Sequence, residues 1–161
     1  MSKINGKKEV VEKIQKWLNE ESIDFAKVEQ SYLSFKFDIK NPNISIFSYN
    51  DKPDSMEFGA YASLTELDKK AFEHKKIEEK LQILWDLERS LIEINVGYVF
   101  LPTHLNLERL QFSKKIYFDG LSKDKFMDTI FALQRIYKLV ELMLRQLTGK
   151  HYSNSITTFI L

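Results

Sequence analysis

Hydrophobic and polar residues alternate along this chain with two different periods, and the order of those periods predicts the architecture. From Lys7 to Asn19, Val10, Val11, Ile14, Trp17 and Leu18 recur at helical spacing, while Lys8, Glu9, Glu12, Lys13 and Lys16 fill the other side. That pattern is a surface helix with one buried stripe. A period of two follows. Phe25, Ala26 and Val28 mark a short strand, and Leu33, Phe35, Phe37 and Ile39 then alternate with Ser34, Lys36 and Asp38. Strict alternation needs one face in a core and one in water. Ile44, Ile46 and Ser48 alternate with Ser45, Phe47 and Tyr49, and Met56, Phe58, Ala60 and Ala62 with Glu57, Gly59, Tyr61 and Ser63. The joints, Asn41-Pro42-Asn43 and Asn50 to Asp54, are short turn clusters, which predicts antiparallel neighbours.

Ser63 with Glu66, and Thr65 with Asp68, both fit the hydroxyl-and-acid signature of a helix start. No Gly or Pro interrupts the run that follows, so it predicts one helix from Thr65 to Ile94, about 45 Å long. Its first half is charged. Its second half is broadly apolar, with Ile77, Leu81, Leu84, Trp85, Leu87, Leu91, Ile92 and Ile94. After Gly97, Tyr98 to Leu101 reads as a strand closed by Pro102, and Leu110, Phe112, Ile116 and Phe118 mark the next. Asp119-Gly120 turns the chain, and Ser122 caps a last helix whose main face is Phe126, Ile130, Leu133, Tyr137, Val140 and Leu144. Gly149 sits where helices stop.

The expected fold is therefore α+β: an antiparallel sheet of about five to six strands with three helices, in the order α-β-β-β-β-α-β-β-α. Residues 1–149 make one domain. Residues 150–161 make a tail ending Ile156-Thr157-Thr158-Phe159-Ile160-Leu161, too apolar for a solvated extension.

Composition narrows the chemistry. Twelve Phe, seven Tyr and two Trp in 161 residues can fill a core without disulfides or metal. The absence of cysteine excludes thiolate nucleophiles, zinc–cysteine sites and iron–sulfur clusters. A net charge of +1 provides no global field for nucleic acid or an anionic membrane. The first residues, Met1 to Lys8, lack the apolar stretch of a signal peptide, and no apolar window is long enough to span a bilayer. The expected location is the cytoplasm.

Three histidines occur, His74, His104 and His151. His74 and Glu78 have metal-ligand spacing on a helix, but the surrounding charges make a solvated pair, and no metal or cofactor is expected. His104, in the loop after Pro102-Thr103, is a candidate base if an acid lies beside it, and a small enzyme assembled around His104 is the alternative reading. No Gly-x-Ser-x-Gly elbow or glycine-rich phosphate loop exists, so no catalytic residue is assigned. Phe47, Tyr49 and Tyr61 fall on the less buried sheet face and are the candidate partner-binding residues. With nearby lysines they also fit a weak nucleic-acid-binding module, although Asp38, Asp51, Asp54 and Glu57 offset those lysines. Trp85 and Leu91, on the broad helix face, are the candidate self-association residues. The expected function is a non-catalytic protein- or peptide-binding adaptor or chaperone-like module, acting as a homodimer.

The order of elements resembles the type III secretion chaperone-like fold. The stretch Ile116-Tyr117-Phe118-Asp119-Gly120-Leu121-Ser122-Lys123-Asp124-Lys125-Phe126-Met127 resembles the strand-to-helix junction of a small archaeal family of uncharacterised proteins with that fold. The resemblance covers about residues 7–149. It implies an α+β sandwich-like domain that often forms dimers, and it implies no catalytic residues. Secretion chaperones of this fold bind an extended, partly unfolded segment of a client. They are typically acidic, whereas this chain is near neutral.

Overall fold

The structure, a computed structural model, describes residues 3–148. The apolar tail and His151 lie outside the described residues. The elements run α1 (Lys3–Glu20), β1 (Phe25–Lys27), β2 (Leu33–Ile39), β3 (Ile44–Tyr49), β4 (Ser55–Ser63), α2 (Glu66–Glu73), α3 (Ile77–Ile94), β5 (Gly97–Pro102), β6 (Leu107–Tyr117) and α4 (Lys123–Thr148). The six strands form one sheet in the order β1-β2-β3-β4-β6-β5. Neighbours β1–β2, β2–β3, β3–β4 and β5–β6 pair antiparallel.

Alternation decides the faces. Along β2 and β3, Phe35, Phe37, Ile39, Ile44 and Ile46 are buried, while Ser34, Lys36, Ser45, Phe47 and Tyr49 are partly open. β4 continues the pattern with Met56, Phe58, Ala60 and Ala62 inward. Expectation and structure agree here because a period-two pattern leaves no other way to bury one side of a strand.

The contacts of the described residues group into two compact units, residues 3–59 with 114–131, and residues 60–113 with 132–148. In the first, Ile14 and Leu18 of α1 are fully buried, and Phe126 of α4 meets Trp17 and Phe58 at ring separations of 5.5 and 5.3 Å. Ser122 caps α4 by accepting from the Lys125 N–H, as the serine before the apolar run predicts. In the second, Phe112 of β6 and Tyr137 of α4 pack edge to face at 5.2 Å. The Tyr137 hydroxyl donates to the Tyr61 carbonyl, and burial raises its pKa.

One expectation fails. The helix predicted from Thr65 to Ile94 is two helices, so the described residues form four α-helices rather than the three expected. Neither Gly nor Pro causes the break. Phe72 is fully buried in α2, and Leu84 and Leu91 are fully buried in α3. The His74 and Lys75 N–H groups donate back to the Lys70 and Phe72 carbonyls and close α2. The chain changes direction at His74-Lys75-Lys76, where Lys76 is extended and the Lys80 ammonium lies 5.2 Å over the Phe72 ring.

The start of α2 is held by a reciprocal cap. Thr65 Oγ1 accepts from the Asp68 N–H at 3.2 Å, while the Asp68 carboxylate accepts from the Thr65 N–H at 3.2 Å and from its hydroxyl at 2.7 Å. Asp68 is buried, so removing it leaves those donors unsatisfied. Asp68→Ala is expected to lower unfolding free energy by about 1–2 kcal/mol in urea titration.

Candidate interaction surfaces

The apolar arc of α3 is wider than the surface it packs against. At about 100° per residue, Leu84, Leu87 and Leu91 share one sector of the helix and Ile77, Leu81, Trp85 and Ile92 share the sector beside it. The first sector is buried, with Leu91 at 0% exposure. The second is not: Ile77, Leu81, Trp85 and Ile92 are 50–65% exposed. From Ile77 to Ile92 the open stripe runs about 22 Å along the helix. Glu78 and Arg89 border it on the side of Trp85, and neither joins an ion pair or hydrogen bond among the described residues.

Of the two residues expected to mediate self-association, Trp85 lies in the open sector and Leu91 does not. Leu91 is spent on the chain's own core. Ile77, Leu81 and Ile92, of the broad face expected from Ile77 to Ile94, share the open sector with Trp85. The width of the arc is the signal for them, since a helix on one surface needs about 100° of apolar face.

The aromatic residues expected on the open sheet face fall into different units. In the first unit, cross-strand register aligns Lys36, Phe47 and Glu57 on β2, β3 and β4. The Glu57 carboxylate pairs with the Lys115 ammonium at 3.6 Å. Phe47 and Tyr49 meet edge to face at 5.3 Å. Gly59 makes room for Phe47: a Cβ there would sit 3.3 Å from the ring edge, so the ring lies on bare backbone, a common way to cover a strand glycine. The Lys52 ammonium lies 5.3 Å over the Tyr49 ring. In the second unit, Tyr61 is open at the surface with the Arg109 guanidinium 5.0 Å over its ring. Each tyrosine thus pairs an apolar face with a cation, an arrangement that suits amphipathic contacts.

His104 has found an acid. Its Nε2 lies 3.6 Å from a carboxylate oxygen of Glu88, which also accepts from the Tyr98 hydroxyl at 2.9 Å. Desolvation, with the Glu88 hydrogen bond after it, raises the Tyr98 pKa. The imidazole ring sits 4.7 Å from the Phe100 ring. The His104 side chain is 55% exposed, so water reaches the pair and the site lacks the enclosure that tunes a general base. The cluster ties the loop after β5 to α3. Among the described residues no three His, Asp or Glu side chains gather as a metal site, and no helix is long and apolar enough to cross a membrane.

The profile of a family described as "Uncharacterized conserved protein (DUF2299)" matches residues 10–144. A crystal structure of an uncharacterized protein from Methanothermobacter thermautotrophicus is similar in fold, with a TM-score of 0.76 at 23% identity over 84% of this chain and 96% of that one. The crystal structure of YbjN from E. coli aligns at a TM-score of 0.43 and 12% identity, over 86% of this chain and 91% of that one. No curated protein matches the sequence.

The two sectors of α3 separate by mutation. Leu91→Ala is expected to cost about 2–5 kcal/mol of stability, as for a fully buried leucine. Trp85→Ala is expected to cost under about 1 kcal/mol in the same denaturant titration at low protein concentration.

Proposed function

The chain belongs to that family of uncharacterized conserved proteins, and we propose for it a non-catalytic role, as a protein- or peptide-binding module of adaptor or chaperone-like type that acts as a homodimer. The observation that carries this reading is the open sector of α3, where four large apolar side chains stand in water, with the His104-paired Glu88 between Trp85 and Ile92. Contiguous exposed apolar surface of this kind marks association sites in soluble proteins.

Charge along the stripe favours a second copy in antiparallel orientation. A two-fold axis near residue 84 sets Ile77 against Ile92 of the other copy and Leu81 against Trp85. The same axis sets Glu78 against Arg89, the two unpaired charges beside the stripe. A parallel pairing would instead bring Glu78 to Glu78 and Arg89 to Arg89. Like charges at a contact are unfavourable, and opposite charges fix register. Association in this orientation covers the apolar sector and satisfies both ions.

The aromatic sheet face of the first unit is then the surface for a client, where Phe47 and Tyr49 offer apolar rings flanked by Lys52. Tyr61, under Arg109 in the second unit, is a candidate contact by itself. Such surface suits an extended segment with apolar and acidic side chains. Its amphipathic rings give area at low entropic cost.

Light scattering on the full chain is expected to show a dimer. Glu78→Arg or Arg89→Glu alone is expected to weaken it about three- to tenfold, and the double charge swap to restore it. Trp85→Lys is expected to give a folded monomer by circular dichroism. A wild-type monomer, or a dimer indifferent to all four variants, overturns the homodimer. For the client surface, Phe47→Ala with Tyr49→Ala is expected to leave the dimer intact and to weaken binding of a permanently unfolded reporter polypeptide at least about tenfold, as for loss of aromatic anchors. Equal binding by both proteins would remove that face from the proposal.

A further inference from the structure

One charged group stands inside the open sector of α3. At about 100° per residue, Glu88 falls between Leu81 and Ile77 round the helix, and between Trp85 and Ile92 along it. Those four apolar side chains are exposed, so Glu88 is a carboxylate in an apolar field. Its side chain is 31% exposed, and His104 Nε2 lies 3.6 Å from one of its oxygens. The Tyr98 hydroxyl donates to the same oxygen at 2.9 Å. A hydroxyl supplies a hydrogen bond but no charge. Of these two partners only the imidazole neutralises the carboxylate, and it does so only when protonated.

The imidazole faces Glu88 from α3, and from β5 the Tyr98 hydroxyl and the Phe100 ring. On β6, Arg109 is engaged with the Tyr61 ring. On α3, Asp86 accepts from Gln82, and Arg89 stands about 100° round the helix from Glu88. In the single chain water reaches the His104–Glu88 pair, so it is worth little. A second copy laid over the open sector removes that water. A lone carboxylate there carries the full cost of desolvation, whereas a carboxylate beside an imidazolium carries less. The two-fold axis near residue 84 sets Lys80 of the other copy level with Glu88. That ammonium lies over its own Phe72 ring, on a side of α3 about 100° from the middle of the open sector.

Given the antiparallel homodimer, on which this inference rests, we propose that the His104–Glu88 pair makes self-association through α3 depend on pH, each imidazole taking up a proton as the contact closes. Proton uptake on association means that the dimer is tightest where imidazole is already charged, below its ordinary range near about 6.5. The dimer loosens as pH rises through that range. Two imidazoles serve each dimer, so a gain of about tenfold from each multiplies to about a hundredfold.

The test is the dimer dissociation constant of the full chain, measured by sedimentation at about pH 5.5 and about pH 8, the span in which imidazole changes charge. The constant is expected to be at least about tenfold larger at the higher pH. His104→Gln and Glu88→Gln, each checked for folding by circular dichroism, are expected to abolish that difference in opposite ways. His104→Gln holds the dimer weak at both pH values, and Glu88→Gln holds it strong at both. His74→Gln, at a ring whose Nδ1 lies 2.6 Å from the Lys70 carbonyl, is expected to keep the wild-type difference. A wild-type dimer with one constant at both pH values overturns the pH dependence and leaves the homodimer standing, with Lys80 of the other copy meeting the carboxylate. A difference that survives in His104→Gln also overturns it and puts the titrating group elsewhere. A wild-type monomer at both pH values overturns the homodimer and the role of the pair together.

Discussion

One-sided burial of the sheet is the constraint on which the rest of the structure depends. The alternation along β2, β3 and β4 commits Phe35, Phe37, Ile39, Ile44, Ile46, Met56 and Phe58 to one face, and strands so patterned are unstable until something apolar covers that face. In the first unit α1 and the start of α4 supply Ile14, Leu18 and Phe126 for this purpose. In the second, Phe112 meets Tyr137 of α4, and α2 and α3 add Phe72, Leu84, Leu87 and Leu91 to the buried set. Helices that cover a sheet need only one apolar sector each. α3 has more than one, and the surplus leaves Ile77, Leu81, Trp85 and Ile92 in water.

The other sheet face follows from the same alternation. Once the inward positions are committed, Phe47, Tyr49 and Tyr61 must point outward, and aromatic rings left in water need partners. The chain provides them locally: a glycine beneath Phe47, a neighbouring ring, and a cation over each tyrosine. These contacts screen the rings without removing them from solvent.

His104 illustrates how far a lone residue in a sequence can be read. An acid beside it was the condition for a catalytic reading, and Glu88 meets that condition in distance. Enclosure was the second condition, and the structure leaves the imidazole more than half in water. Glu88 itself was not legible as its neighbour, because the two residues are brought together by the turn between α3 and β5 and not by any spacing along one element.

The strands, the cap of α2 at Thr65 and Asp68, the cap of α4 at Ser122 and the sheet's buried face were determined by the sequence alone. Each rests on neighbours within a few residues, where period and hydrogen-bond reach are set by local geometry. The division of the long central helix was decided only by tertiary structure, since no Gly or Pro marks it and His74, Lys75 and Lys76 are all helix-compatible. The fates of Leu91 and Trp85 were decided in the same way. Both stand on one broad apolar arc, and a sequence records the width of that arc but not the width of the surface it meets. Packing took the sector with Leu91 and left the sector with Trp85 in water.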